Sequence, residues 1–116
     1  MDISHRLVNH CAIIDVEAGT VQHPQTVVLK NYVNHLLRAG ITHFVFNLQK
    51  VSLLDSFGVA VLLSIYKQCR QQGGMLSLCE LNPNIMHVMT ITRMDRVLTI
   101  CENETDAIAL VSQGVA

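Results

Sequence analysis

The chain has 116 residues, of which 50% are apolar and 15% charged, with a formal net charge of −1. That balance excludes a disordered segment and is enough to bury the core of a single domain, 1–116, without disulfide or metal staples. The basic residues (Arg6, Lys30, Arg38, Lys50, Lys67, Arg70, Arg93, Arg96) are scattered, which excludes the basic stripe of a nucleic-acid binder.

Val8–Val16 predicts a strand around Ala12-Ile13-Ile14, and Gly19 to Pro24 breaks it. Gln25–Ala39 follows helical spacing, with Leu29, Tyr32, Val33, Leu36 and Leu37 on one face. Gly40 then suits a helix C-terminus. Thr42–Leu48 has the aromatic and branched residues of a buried strand. Leu53-Leu54 lead into a turn at Asp55-Ser56, and Phe57–Gln72 predicts a second helix that stops at Gly73-Gly74. Its apolar face comprises Phe57, Val61, Leu62, Ile65, Tyr66 and Cys69.

Met75–Leu81 alternates apolar and polar residues and predicts a strand. Asn82-Pro83-Asn84 opens a third helix with proline in its first turn. It continues through Ile85–Thr92 despite the weak helix formers Thr90, Ile91 and Thr92. Val97–Cys101 predicts a short strand, and Glu104–Val111 a last helix capped near Glu102 or Asn103. Strands alternating with helices predict an α/β layer. The short first connection fits either direction of pairing for the early strands.

The longest apolar run begins at Val59 and falls far short of the ~20 residues a membrane span needs. The start, Met1 to Arg6, lacks the basic-then-apolar plan of a secretory signal, so a cytoplasmic protein is expected. Cys11, Cys69, Cys79 and Cys101 are far apart and read as buried thiols. Neither they nor His5, His10, His23, His35, His43 and His87 have metal-ligand spacing, so no metal and no cofactor is expected.

The Asp55-Ser56 turn carries two readings. Both residue types are preferred N-caps, so the pair satisfies orphan helix N–H groups at a value of about 1 kcal/mol. Alternatively Ser56 is a phosphorylation site. A phosphate would add about −1.5 to −2 charges where the helix dipole favours them. Asp55 would repel that charge and mark the surface for a docking partner. No histidine lies near Ser56 and no Gly-x-Ser-x-Gly is present, which argues against a serine hydrolase.

Several pieces in order complete a pattern: Asn47-Leu48, Asp55-Ser56-Phe57-Gly58, Val61-Leu62, Gly73-Gly74, Met75-Leu76-Ser77-Leu78, then the Asn82-Pro83 and Glu104-Thr105-Asp106-Ala107 helices. From about Leu7 to Val111 this resembles the anti-sigma-factor antagonists, the stand-alone bacterial members of the STAS domain family. The resemblance implies an α/β fold with a mixed central sheet of about four to five strands covered by about four helices. It also implies a non-enzymatic partner switch in transcription regulation. Ser56 would be the phosphoacceptor, Asp55, Ser56, Phe57 and Gly58 the docking surface, and Gly58 the residue allowing close approach. The implied partners are a serine protein kinase/anti-sigma factor of histidine-kinase-like ATPase fold, and a metal-dependent serine phosphatase.

Two positions depart from the family pattern. Phe57 stands where a second Ser or Thr is usual, as in relatives that scaffold large signalling assemblies. Gln22, in Gly19-Thr20-Val21-Gln22, replaces an acidic residue that follows the family glycine. An alternative is a constitutive subunit of a larger assembly, such as a transporter-associated complex, with Phe57, Val59 and the Met86-Met89-Met94 series as packing surface. A third reading is an enzyme with His43 or His87 as a general base, but no Gly-rich phosphate loop accompanies them.

Overall fold

The computed structural model describes residues 2–17, 20–21 and 25–113. Gly19 and Gln22, where the chain departs from the family pattern, lie outside them. The strand expected at Val8–Val16 is corrected at its start: it begins at Cys11 as the second arm of a hairpin, Val8 ends the first arm, and Asn9-His10 form the loop between them. Asn9 and His10 both adopt positive φ (52° and 65°). Their left-handed backbone matches the twist of a two-residue hairpin loop, and asparagine tolerates it better than most residues. So β1 (Asp2–Val8) runs antiparallel to β2 (Cys11–Glu17). Alternation alone misses β1, because its solvated residues carry little apolar signal.

The chain then continues through β3 (Thr20–Val21), α1 (Gln25–Arg38), β4 (His43–Asn47), β5 (Leu53–Leu54), α2 (Ser56–Gln71) and β6 (Met75–Cys79). It ends with α3 (Pro83–Ile91), a 3-10 turn at Met94–Arg96, β7 (Thr99–Cys101) and α4 (Glu104–Ser112). The main sheet has five strands in the order β1-β2-β4-β6-β7, parallel except for β1. β3 and β5 pair separately in a two-stranded parallel ladder. The fold is thus α/β with a mixed sheet and four helices, as the resemblance implies.

Side-chain alternation divides the core in two. Ala12, Ile14, Val16, Phe44, Phe46, Leu76 and Leu78 pack with Leu29 and Val33 of α1, Leu62 and Ile65 of α2, and Ile85 and Met89 of α3. On the opposite face Cys11, Ile13, Val45 and Cys79 meet Ala107 and Val111 of α4. Covering both faces explains why the central strands read as continuous apolar runs. No helix among the described residues is long and apolar enough to cross a membrane.

Two helix ends are built alike. The Gly40 amide bonds Leu37 O and the Ile41 amide bonds Leu36 O. The Gly73 amide bonds Arg70 O and the Gly74 amide bonds Cys69 O. These are Schellman caps, with Gly40 (φ 96°) and Gly73 (φ 77°) in the left-handed position. Gly74 has a different constraint: a Cβ there would lie 1.8 Å from the Thr42 carbonyl oxygen. Only glycine lets β6 start beside β4.

The hairpin is fastened to α4 by charge. Arg6 Nε donates to Asp15 Oδ2 (3.1 Å) and Nη2 to Glu104 Oε1 (2.6 Å), while Asn47 Nδ2 also donates to Glu104 Oε1 (3.1 Å). The Arg6 hydrogen bond holds the Glu104 carboxyl below the usual carboxylate range; partial burial opposes this and Asn47 adds to it. Glu104 and Asp15 together raise the Arg6 guanidinium.

Gly74→Ala is expected to cost about 3 kcal/mol in denaturant unfolding, because backbone rather than a side-chain tip must move. Glu104 titrates lower in the folded chain, so its contribution is complete above the ordinary carboxyl pKa of ~4.3 and fades as pH falls through the depressed value. Stability of Glu104→Gln should therefore lie below wild type by ~1 kcal/mol at pH 7. The two curves should converge in acid, read by urea unfolding across pH 3 to 7.

Candidate functional site: the Asp55-Ser56 turn

The turn sits beyond the C-terminal end of β4, the end of a parallel sheet where strand-to-helix loops lie and where sites of α/β folds are found. Leu48 and Val51 are buried and pin the connection. The Leu48 amide bonds Cys79 O and the Val51 amide bonds Leu48 O, both at 3.0 Å. Asn82, the α3 N-cap, clamps it from the side. Its Oδ1 accepts the Ile85 amide (2.8 Å), while Nδ2 donates to the carbonyls of Val51 (3.0 Å) and Ser52 (3.1 Å). The sequence marks Asn82 as a helix start; nothing in it signals the second role.

β5 then delivers the chain to α2, burying Leu54 and leaving Leu53 55% exposed. Asp55 is extended (φ −88°, ψ −177°), and its Oδ1 accepts the Gly58 amide at 2.8 Å. Its carbonyl accepts the Val59 amide at 3.0 Å. Asp55 is therefore the N-cap and Ser56 the first helical residue, one position earlier than the sequence expectation. The two readings of the pair separate: the cap belongs to Asp55, and Ser56 is exposed beside it.

All four singled-out residues share one turn with distinct orientations. Gly58 is buried, while Phe57 is 57% exposed. The expectation that Phe57 joins the apolar face of α2 is corrected: Phe57 lies at the edge of the stripe formed by Gly58, Val61, Leu62, Ile65 and Cys69, about 100° around the helix from Gly58, and stays largely exposed there. Leu53 and Phe57 thus place exposed apolar surface on either side of Asp55-Ser56.

Other candidates lie elsewhere. Met89 is buried in the core and Met86 and Met94 are partly covered, so the methionine series is not one packing surface. His43 opens β4 with Nδ1 hydrogen-bonded to Thr42 Oγ1 (3.0 Å), whereas His87 is exposed on α3. Burial pushes the Cys69 and Cys79 thiols up to about 12, which disfavours the nucleophilic thiolate at neutral pH. Cys101 is only partly buried, unlike the other three cysteines. A cavity of about 50 Å³ at the ends of β2 and β4, between Asp15, Asn47 and Lys50, is far smaller than ligand pockets of ~300 Å³ or more. An open groove of about 350 Å³ lies between α1 and α2, beside Asn34, Arg38, Gln68 and Gln72 and away from the Asp55-Ser56 turn. Among the described residues no group of three or more His, Cys, Asp or Glu is placed to hold a metal.

Asp55→Ala should cost about 1 kcal/mol of stability, whereas Ser56→Ala should stay within ~0.5 kcal/mol of wild type. Thermal and urea unfolding of the two variants check this division of labour. Asn82→Asp keeps the oxygen that caps α3 and loses the donor to Val51 and Ser52. It should destabilise by ~1–3 kcal/mol, with faster amide exchange in residues 48–54 and an intact α3.

A family model for the STAS domain matches residues 9–107. The anti-sigma F factor antagonist of Paenibacillus polymyxa is 24% identical over 110 residues, spanning 93% of this chain and 94% of that protein. Among solved structures, an anti-sigma factor antagonist from Mycobacterium paratuberculosis superposes with a TM-score of 0.84 at 16% identity, covering 95% of this chain and 92% of that one. The Bacillus cell fate determinant SpoIIAA in its phosphorylated form gives 0.72 at 17% identity, covering 95% and 99%. At such identities the structures establish the fold. With 9–107 matched by the family model, the chain belongs to the STAS domain family.

Proposed function

We propose that this chain is a partner-switching regulator of the anti-anti-sigma type, turned off by phosphorylation of Ser56. Unphosphorylated, it docks through Asp55, Ser56, Phe57 and Gly58 on a serine kinase/anti-sigma partner of histidine-kinase-like ATPase fold. That partner then releases its other client. Phosphate on Ser56 ends the docking, and a metal-dependent serine phosphatase restores it. The chain itself carries out no catalysis in this scheme.

The observation that carries the reading is the separation of cap from hydroxyl. Because Asp55 supplies the cap, Ser56 can be modified without removing a bond the helix needs. A phosphate at the first helical position gains from the helix dipole, by about 0.3–1 kcal/mol, and is opposed by the adjacent Asp55 carboxylate. Those two effects nearly cancel for folding but not for docking. At an interface seated on Leu53 and Phe57, the added charge must be desolvated without a partner. Relatives named anti-sigma factor antagonists support the same assignment.

A constitutive role in a larger assembly draws support from the same exposed Leu53 and Phe57, which suit a permanent contact. Binding of Ser56 variants to the kinase/anti-sigma partner separates the two readings. Ser56→Ala should bind as wild type does, and Ser56→Asp about a hundredfold more weakly, equivalent to ~2.7 kcal/mol. Both variants should melt within ~4 °C of wild type. Equal affinity of wild type and Ser56→Asp would favour the constitutive role, as would co-purification with an assembly regardless of phosphorylation.

A further inference from the structure

The five-stranded sheet ends on two unequal edges. β7 has three residues, whereas β1 has seven, and every residue from Asp2 to Val8 has a register partner in β2 without a bulge. The two-residue loop makes Val8 and Cys11 the hydrogen-bonded pair that closes the hairpin. Antiparallel alternation then aims the backbone groups of Arg6, Ser4 and Asp2 at β2 as well. The N–H and C=O groups of Ile3, His5 and Leu7 face the other way. No described strand pairs with them there.

Edges of this length are usually blunted by lysine, proline or a bulge. β1, Asp-Ile-Ser-His-Arg-Leu-Val, has none of these, and Leu7 is 61% exposed. Its one cation, Arg6, is already engaged by Asp15 and Glu104.

We infer that β1 pairs antiparallel with β1 of a second copy about a two-fold axis at His5, joining two sheets into one. Ile3 then faces Leu7 of the other copy, His5 faces His5, and Leu7 faces Ile3. This register alone turns all three outward-facing residues into hydrogen-bonded pairs, each exchanging two main-chain bonds. Among residues 2–8, centring on Ser4 or Arg6 uses only two. The apolar Ile3–Leu7 pairs occur twice and share a face. On the other face Ser4 meets Arg6 and Asp2 meets Val8, so no like charges oppose there. This two-fold self-match selects a second copy over an unrelated extended segment. The edge contains no residue of the Asp55–Gly58 turn, so the inference is independent of the proposed switch.

Sedimentation equilibrium of the full chain from ~10 µM to ~1 mM spans the weak range expected of a small interface. Average mass should rise from 12.9 kDa toward twice that value. Amide exchange at Ile3, His5 and Leu7 should slow as concentration rises, while that at Ser4, Arg6 and Val8 stays constant. Leu7→Pro removes an outward N–H without touching the β2 ladder and should hold the chain monomeric; Leu7→Lys should weaken association at least tenfold. If Leu7→Pro disturbs the hairpin by circular dichroism, Leu7→Lys decides. A mass fixed at 12.9 kDa throughout would overturn the inference. So would a dimer that leaves those three amides unchanged or persists in Leu7→Lys.

Discussion

One hydrogen bond organises the candidate site: the Asp55 carboxylate accepting the Gly58 amide at 2.8 Å. A helix start must satisfy its orphan N–H groups, and a serine that did so would be tied into the fold. Because the neighbouring aspartate takes that task, Ser56 stands at the first helical position as an exposed hydroxyl. The consequence is a surface whose charge can change while the helix beneath keeps its cap. A switch built this way acts on the fit to a partner, with little cost to the domain itself.

The rest of the fold holds that turn in place. A parallel sheet places its strand-to-helix connections at the C-terminal ends of the strands, and the β4 connection is fixed there by buried Leu48 and Val51 and by the Asn82 clamp. Gly74 lets β6 lie against Thr42, which sets the neighbouring strand from which α3 and Asn82 depart. At the other side, Arg6 joins the hairpin to α4 through Glu104, and Asn47 at the end of β4 joins the same carboxylate. The exposed Leu53 and Phe57 are thus carried on a connection held from both sides, by Asn82 and by the buried Leu48 and Val51.

Much of this was legible in the residues. Helices α1 and α2 follow from their apolar spacing and from glycines at their ends, β4 from a short apolar and aromatic run, and β6 from the alternation in Met75–Leu81. Asp55-Ser56 was recognisable as a helix start, but sequence spacing could not say which of the two is the cap. That choice depends on backbone dihedrals at Asp55. Phe57 falls at the edge of the apolar stripe by spacing, and spacing alone does not tell whether a neighbouring element covers an edge position; here it is 57% exposed. β1 carries little pattern, since an edge strand has few buried residues, and its turn rests on positive φ at Asn9 and His10 rather than on a glycine that would mark it. The Asn82 clamp and the Arg6–Glu104 pair join positions far apart in sequence, and local pattern carries no record of such contacts.

Intact mass of the protein purified from its own cells, alongside Ser56→Ala and with Phos-tag migration as a second readout, tests the central claim most directly. The account expects a wild-type species heavier by ~80 Da that Ser56→Ala lacks and phosphatase treatment removes. Wild-type protein that stays at its unmodified mass across growth phases and stress, or a shift that persists in Ser56→Ala, would contradict it.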